Sequence, residues 1–219
     1  MLETSILLAT NNPDKQQSLR RLLEGLPLSP VTPRQMGLEI NPKEEGETHL
    51  EVARQKAIQW SRAGSILAIA SDGGLVLPAL GGRWESLYTR RFAGEPADDQ
   101  TRVHRLLELM RPYHGTDRQA SWVEALAVAH RGRVLASWEL RGATGVIAQD
   151  APEEGSSNLP ESSIDSSGFW VFSVWEFPQF GRRYNQLSAA QLEALDDHWV
   201  NLRGLVQRYF RSYFVTPVA

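Results

Sequence analysis

The chain contains no cysteine. Disulfides, thiolate catalysis and cysteine-based zinc sites are therefore excluded together. Its five histidines, His49, His104, His114, His130 and His198, show no ligand spacing such as His-x-x-x-His, so no zinc site is expected. No uninterrupted apolar run approaches the roughly 18 residues of a membrane span. The opening MLETSILLATNN lacks the basic segment and the long apolar stretch of a signal peptide. An excess of positive charge is missing as well: 23 Lys and Arg against 26 Asp and Glu leave −3. That argues against gripping a nucleic-acid polymer by its backbone. A small phosphorylated ligand, which needs only two or three placed cations, remains compatible with it. The expectation is a soluble, cytoplasmic protein.

What is present reads as a folded α/β chain. The 219 residues suffice for a sizeable core, and 42% hydrophobic with 22% charged residues argues against disorder. Residues 5–10 form a short apolar run ending in Asn11-Asn12-Pro13-Asp14, a strand running into a turn. Leu19, Leu22, Leu23 and Leu26 follow at helical spacing, stopped by Gly25 and Pro27. A second helix is predicted over 48–63, with Thr48 and Glu51 as a capping box. A strand at 66–70 runs into Ser71-Asp72-Gly73-Gly74, and residues 99–110 read as a helix. Residues 120–130 and 133–141 look like a hairpin turning at Arg131-Gly132. Residues 149–168 read as a flexible loop rich in Ser, Glu and Pro, 169–177 as an aromatic strand, and 188–195 and 199–214 as helices. There is no internal repeat.

Three polar clusters fall at the ends of these elements. Thr10-Asn11-Asn12-Pro13-Asp14-Lys15 joins a strand to a helix, where backbone N–H groups and a lysine suit an anion. Glu44-Glu45-Gly46-Glu47 precedes the helix bearing Lys56, and clustered carboxylates are the hard oxygen ligands that Mg²⁺ takes. Ser71-Asp72-Gly73-Gly74 follows an apolar strand, where α/β sheets bind ligands, and its glycines leave room beside the carboxylate. Taken alone, the first two clusters read better as ordinary solvated turns, and the third reads as well that way as the other.

Their order is more specific. The chain resembles the inosine triphosphatase-like family of purine nucleoside triphosphate pyrophosphatases. That family's Thr-Gly-Asn-x-x-Lys loop is matched by residues 10–15, and its Glu-x-Gly-x-Thr-Phe-x-Glu-Asn-Ala-x-x-Lys-Ala by residues 44–57. Its Asp-Asp-Ser-Gly-Leu, Leu-Gly-Gly and Tyr-Ser-Ala-Arg-Tyr-Ala-Gly blocks fall on residues 71–75, 80–82 and 88–94.

The resemblance implies a mixed, elongated, curved sheet flanked by helices. It also implies two interleaved lobes around a central cleft, counted as one domain over residues 1–219, and a homodimer. It implies Mg²⁺-dependent cleavage of a nucleoside triphosphate to a monophosphate and pyrophosphate. In that reading Glu44 and Asp72 hold the metal, and Asp72 helps activate water. Lys15 and Lys56 neutralise the phosphates, Thr10 and Asn12 hydrogen-bond them, and Gly73 lines the substrate. His198 stands near the family's closing histidine after a one-residue shift, and Arg203 is a candidate for the arginine beside it.

The departures are equally legible. Ser71 replaces one aspartate of the Asp-Asp pair, Ser18 stands for a glutamate, and Val52 for an asparagine. The family's base-reading Gly-Phe-Gly-Tyr-Asp-Pro is reduced to Gly168-Phe169, followed by Trp170, Val171, Phe172 and Ser173. Inosine or xanthosine preference therefore does not carry over. Phe169 and Trp175 are candidates to stack on a base or sugar, or else core residues. Two functions stay open: a pyrophosphohydrolase of altered base preference, which the four charged positions favour, and a catalytically degenerate nucleotide-binding or interaction protein.

Overall fold

The computed structural model describes residues 4–94, 96–151 and 170–215. In chain order the elements are β1 (Thr4–Leu8), α1 (Pro13–Leu23), β2 (Leu28–Val31), α2 (His49–Gly64), β3 (Leu67–Val76) and α3 (Asp99–Met110). They continue with β4 (Gln119–His130), β5 (Arg133–Arg141), β6 (Gly145–Ile147), β7 (Trp175–Phe177), β8 (Arg182–Arg183), α4 (Ala189–Ala194) and α5 (His198–Val215). Hydrogen-bonded neighbours run β2-β1-β3-β4-β6-β7-β8, with β5 beside β4. β1 pairs in parallel with β2 and β3, whereas β6 is antiparallel to β4 and β7, and β7 to β8. The large mixed sheet with helices is as expected.

Local chemistry accounts for the element ends. Thr48 caps α2 by accepting from the Glu51 N–H at 3.2 Å, and Asp98 caps α3 by accepting from Thr101 at 2.7 Å. The β4–β5 turn has both central residues at positive φ, Arg131 at 50° and Gly132 at 82°. That twist suits a two-residue hairpin. Two expectations need correction. β3 does not stop at residue 70 but continues to Val76, so Asp72 lies within a strand. The aromatic stretch opens not as a strand but as a 3-10 turn, Trp170–Ser173, closed by Val174 N–H to Val171 O at 3.0 Å and Ser173 Oγ to Trp170 O at 2.7 Å. Among the described residues no helix is long and apolar enough to cross a membrane.

The chain forms two compact units. The first comprises Met1–Gly73, Glu124–Leu140 and His198–Ala219, the second Gly74–Val123 and Arg141–Asp197. In the first unit the strands alternate strictly. Ile6 and Leu8, Leu67 and Ile69, and Leu126 and Val128 pack with Leu19, Leu22 and Leu23 of α1 and Leu202, Val206 and Phe210 of α5. The intervening residues, Leu7, Ala9, Ala68, Ala70, Ala125, Ala127 and Ala129, pack with Ala53, Ala57 and Trp60 of α2. One face of this sheet region thus presents large side chains to two helices, and the other presents, apart from Leu7, alanines to one. Since side chains alternate at a period of two, Asp72 continues the Ala68–Ala70 row and faces α2, and Ser71 faces the opposite way.

The second unit packs around Trp175, Phe172, Phe177 and Tyr184. Arg118 is buried there and donates to the carbonyls of Ile147 (2.7 Å), Met110 (2.6 Å), Tyr113 (3.2 Å) and Ala148. It ties the end of α3 to the strand edge.

Candidate functional site

The first unit assembles the charged residues singled out from the sequence. Lys56 Nζ lies 2.7 Å from Glu44 Oε1 and 2.8 Å from Asp72 Oδ1, so one ammonium holds both carboxylates. The other Asp72 oxygen, Oδ2, is 2.6 Å from His49 Nδ1. His49 and Lys56 are seven residues apart on α2 and so share its face. Both belong to the buried row His49, Val52, Ala53, Lys56, Ala57 and Trp60.

Glu44 is held by the backbone on either side of it. Lys43 N–H donates to Gln59 Oε1 (2.9 Å), Glu45 N–H to Gln55 Oε1 (3.1 Å), and Glu47 N–H to Glu51 Oε2 (2.8 Å). Every second loop residue meets every fourth helix residue. The match is metric: four helical residues rise about 6 Å and two extended residues span about 6.6 Å. Gly46 explains the glycine of this motif. A Cβ there would stand 2.8 Å from both Glu51 Cβ and Val52 N, so any side chain would push the loop off the helix.

The electrostatics follow from the geometry. Burial pushes the Asp72 carboxyl up, but the His49 hydrogen bond and the charges of Lys56 and Lys15 outweigh it and hold the group down to about 2. Asp72 is therefore ionised across the working pH range. Lys56 loses charge stability through burial, yet Asp72 and Glu44 more than compensate and raise it above the ordinary lysine value.

The loop at residues 10–15 differs from expectation. Pro13 has no N–H, Asp14 and Lys15 donate to Asn12 Oδ1 at 2.8 and 3.2 Å, and Gln16 donates to Asn12 O at 3.0 Å. The first-turn amides are thus committed to the cap rather than offered to an anion. Thr10 Oγ1 accepts from Asn12 N–H at 3.1 Å and fixes the cap in turn. What this loop brings to the cluster is the charge of Lys15. The Asn12 carbonyl serves the helix, leaving its amide nitrogen as the donor side.

Two of the residues expected at the base end, Trp175 and His198, are buried. Trp175 is fully buried, stacked on Tyr184 with centroids 5.0 Å apart, and its Nε1 donates to Ala120 O at 3.1 Å. A ring with no exposed face does not stack on a ligand, so Trp175 takes the core reading. His198 is fully buried at the start of α5, beside Trp199, so it presents no surface to a substrate. Arg203 reaches Glu24 at 3.3 Å in an exposed pair. Gly73, half-buried, follows Asp72 in β3. Phe169 lies outside the described residues.

Glu44 and Asp72 fit a hard divalent cation in kind, since both offer only oxygen. Among the described residues no group of three or more His, Cys, Asp or Glu is arranged to hold an ion unaided. Two carboxylates completed by ligand phosphates is the pattern Mg²⁺ accepts. Sequence reasoning missed His49. Its signal was a buried-face helical position carrying an imidazole where the family motif carries phenylalanine.

The sequence matches the Ham1 family over residues 6–156. It is 30% identical over 204 residues to a dITP/XTP pyrophosphatase of Thermus thermophilus, covering 93% of this chain and 91% of that one. It is also 30% identical over 202 residues to a protein of the same name from Halorhodospira halophila, covering 92% and 95%. In structure it resembles a HAM1 protein from Coxiella burnetii with a TM-score of 0.74 at 22% identity, over 97% of this chain and 100% of that one. The Ham1 protein of Staphylococcus aureus gives 0.72 at 23%, over 95% and 99%. At these identities the structural likeness speaks for the fold.

Proposed function

The chain belongs to the Ham1 family, and from that premise we propose that it is a nucleoside triphosphate pyrophosphohydrolase, dependent on Mg²⁺ and altered in the base it prefers. One observation carries the reading: Lys56 bridges Glu44 and Asp72 in a buried cluster that also feels the charge of Lys15. The names of the relatives point to the same reaction.

In this reading water attacks the α-phosphorus, and the bond from that phosphorus to the α–β bridging oxygen breaks. A nucleoside monophosphate and pyrophosphate leave. Glu44 and Asp72 would hold the metal, which would supply charge neutralisation to the phosphates. Asp72, kept ionised by its neighbours, would accept a hydrogen bond from the attacking water and help activate it. Lys56 acts first as the strut that keeps two like charges together. Lys15 is then the cation left to meet phosphate, with the Asn12 amide as a neutral donor and Thr10 holding the loop. Gly73 keeps the space beside Asp72 clear of a side chain.

The altered base preference rests on what replaces the family's reading residues. Val171 and Phe172 are buried and apolar, and offer no donor or acceptor to a base edge. The reading further takes the active species to be a homodimer in the cytoplasm, on the family resemblance; sedimentation tests the first and cell fractionation the second.

The test is a panel of standard and deaminated nucleoside triphosphates with Mg²⁺, scored for pyrophosphate and monophosphate together. At least one should be hydrolysed, and Asp72→Asn should abolish the activity. The proposal is wrong if none yields product. The degenerate, binding-only alternative would instead show binding without turnover.

A further inference from the structure

The Asp72 carboxylate is gripped at both oxygens from one helix. Lys56 takes Oδ1 at 2.8 Å, and His49, two turns earlier on α2, takes Oδ2 at 2.6 Å. An ionised carboxylate only accepts, so the His49 Nδ1 carries the proton of this bond. Lys56 alone would leave the carboxylate able to rotate about its bond to Cβ. Two donors on two different oxygens fix its plane. His49 is 6% exposed and Asp72 9%, so water does not readily take the place of either donor. The helix sets where the imidazole stands: His49 is the first residue after the Thr48 cap, at the end of α2 bonded to the loop that carries Glu44.

We infer that His49 is a positioning residue, which together with Lys56 clamps the plane of the Asp72 carboxylate so that its remaining lone pairs point where a metal and an attacking water require them. The inference rests on the pyrophosphohydrolase reading and adds a residue that the family motif fills with phenylalanine. Removing a partner that orients a metal-binding carboxylate typically costs about 10–100-fold in activity or metal affinity.

The test compares His49→Phe, His49→Asn and His49→Gln with the parent protein. Phenylalanine keeps a flat ring and removes the donor. Asparagine puts an N–H close to the position of Nδ1, whereas glutamine puts it near Nε2. The clamp requires kcat to fall about 10–100-fold in His49→Phe with KM within about twofold, and to recover most of the way in His49→Asn but not in His49→Gln. Mn²⁺ affinity with inorganic pyrophosphate supplying the remaining ligands, read by electron paramagnetic resonance, must fall and recover in the same order. Should His49→Phe not fold, the Asn-over-Gln order decides alone. Unchanged kcat and Mn²⁺ affinity in His49→Phe, or equal losses in Asn and Gln, overturn the inference, as does a parent protein that binds no Mn²⁺. If the parent hydrolyses no nucleotide, the functional reading fails, and the Mn²⁺ order still upholds or overturns the clamp.

Discussion

Lys56 and Asp72 form an ion pair at 2.8 Å in which the side chains are only 11% and 13% exposed. Such a pair is costly to break from one side, because the remaining charge stays buried. Lys56→Met should therefore destabilise the protein by about 3–5 kcal/mol, with Asp72 and Glu44 left facing each other uncompensated. Urea denaturation at neutral pH measures this. Adding Asp72→Leu should recover part of the loss, and a double variant no more stable than Lys56→Met would contradict the account.

Asp72 also sets an acid limit. Its carboxyl titrates at about 2 in the folded chain, below an unfolded value near 3.9. A depressed folded value adds stability above the unfolded pKa and loses it as pH falls toward the folded one, here between roughly 4 and 2. The contribution is on the order of 2 kcal/mol. Lys56, raised above its ordinary value, adds stability below the unfolded lysine pKa and loses it only at strongly alkaline pH. Denaturation midpoints measured from pH 2 to 7 should show an acid step that Asp72→Asn flattens.

The loop carrying Glu44 should be sensitive to one methyl group. In Gly46→Ala the new Cβ would meet Val52 N and Glu51 Cβ at 2.8 Å, and the backbone atom cannot swing aside. We expect a loss of about 1–3 kcal/mol, with weaker metal binding as Glu44 is carried away from Lys56. Gln55→Ala, which removes only one loop tie, should have the milder effect on Mn²⁺ affinity. Equal metal affinity in Gly46→Ala and the parent would show that the loop adjusts without moving Glu44.

Ser71 occupies the place of a family aspartate, yet strand alternation turns it away from Asp72. Its Oγ is buried without a hydrogen-bond partner. Ser71→Asp should therefore fail to strengthen metal binding or turnover, and should destabilise the fold by placing a charge in a 4% exposed position. Ser71→Ala should be neutral or mildly stabilising, because it removes an unsatisfied hydroxyl. A Ser71→Asp variant that turns over faster would mean that the missing carboxylate belonged to the cluster after all.

Much of this was legible in sequence because it is periodic or ordered. The helix at 99–110 and the Arg131-Gly132 turn follow from spacing and turn chemistry. The proximity of Lys15, Glu44, Lys56 and Asp72 was implied by three motifs in order. Position within β3 was not legible: Asp72-Gly73-Gly74 is turn composition, yet it lies inside a strand that runs from Leu67 to Val76. Trp175 could not be assigned either, since the same aromatic fills a core or faces a ligand and only burial decides. The 51–55–59 ladder was visible as acceptors repeating every four residues, but nothing local showed that a loop would lie along them. His49 escaped because a lone imidazole has no signature until its partner, distant in sequence, is known.

The alanine-faced side of the first unit has a bearing on how the site tolerates change. Ala68, Ala70, Ala125, Ala127 and Ala129 carry no polar group, yet they pack with Ala53, Ala57 and Trp60 of α2, and their small size sets how near that helix lies to the strands. A methyl added at any of them lifts the helix, and with it both side chains that grip Asp72. The reach of the site is therefore written in residues that have no chemistry of their own, and a sequence drifting toward valine along that row would loosen the hold on Asp72 while every charged residue stayed in place.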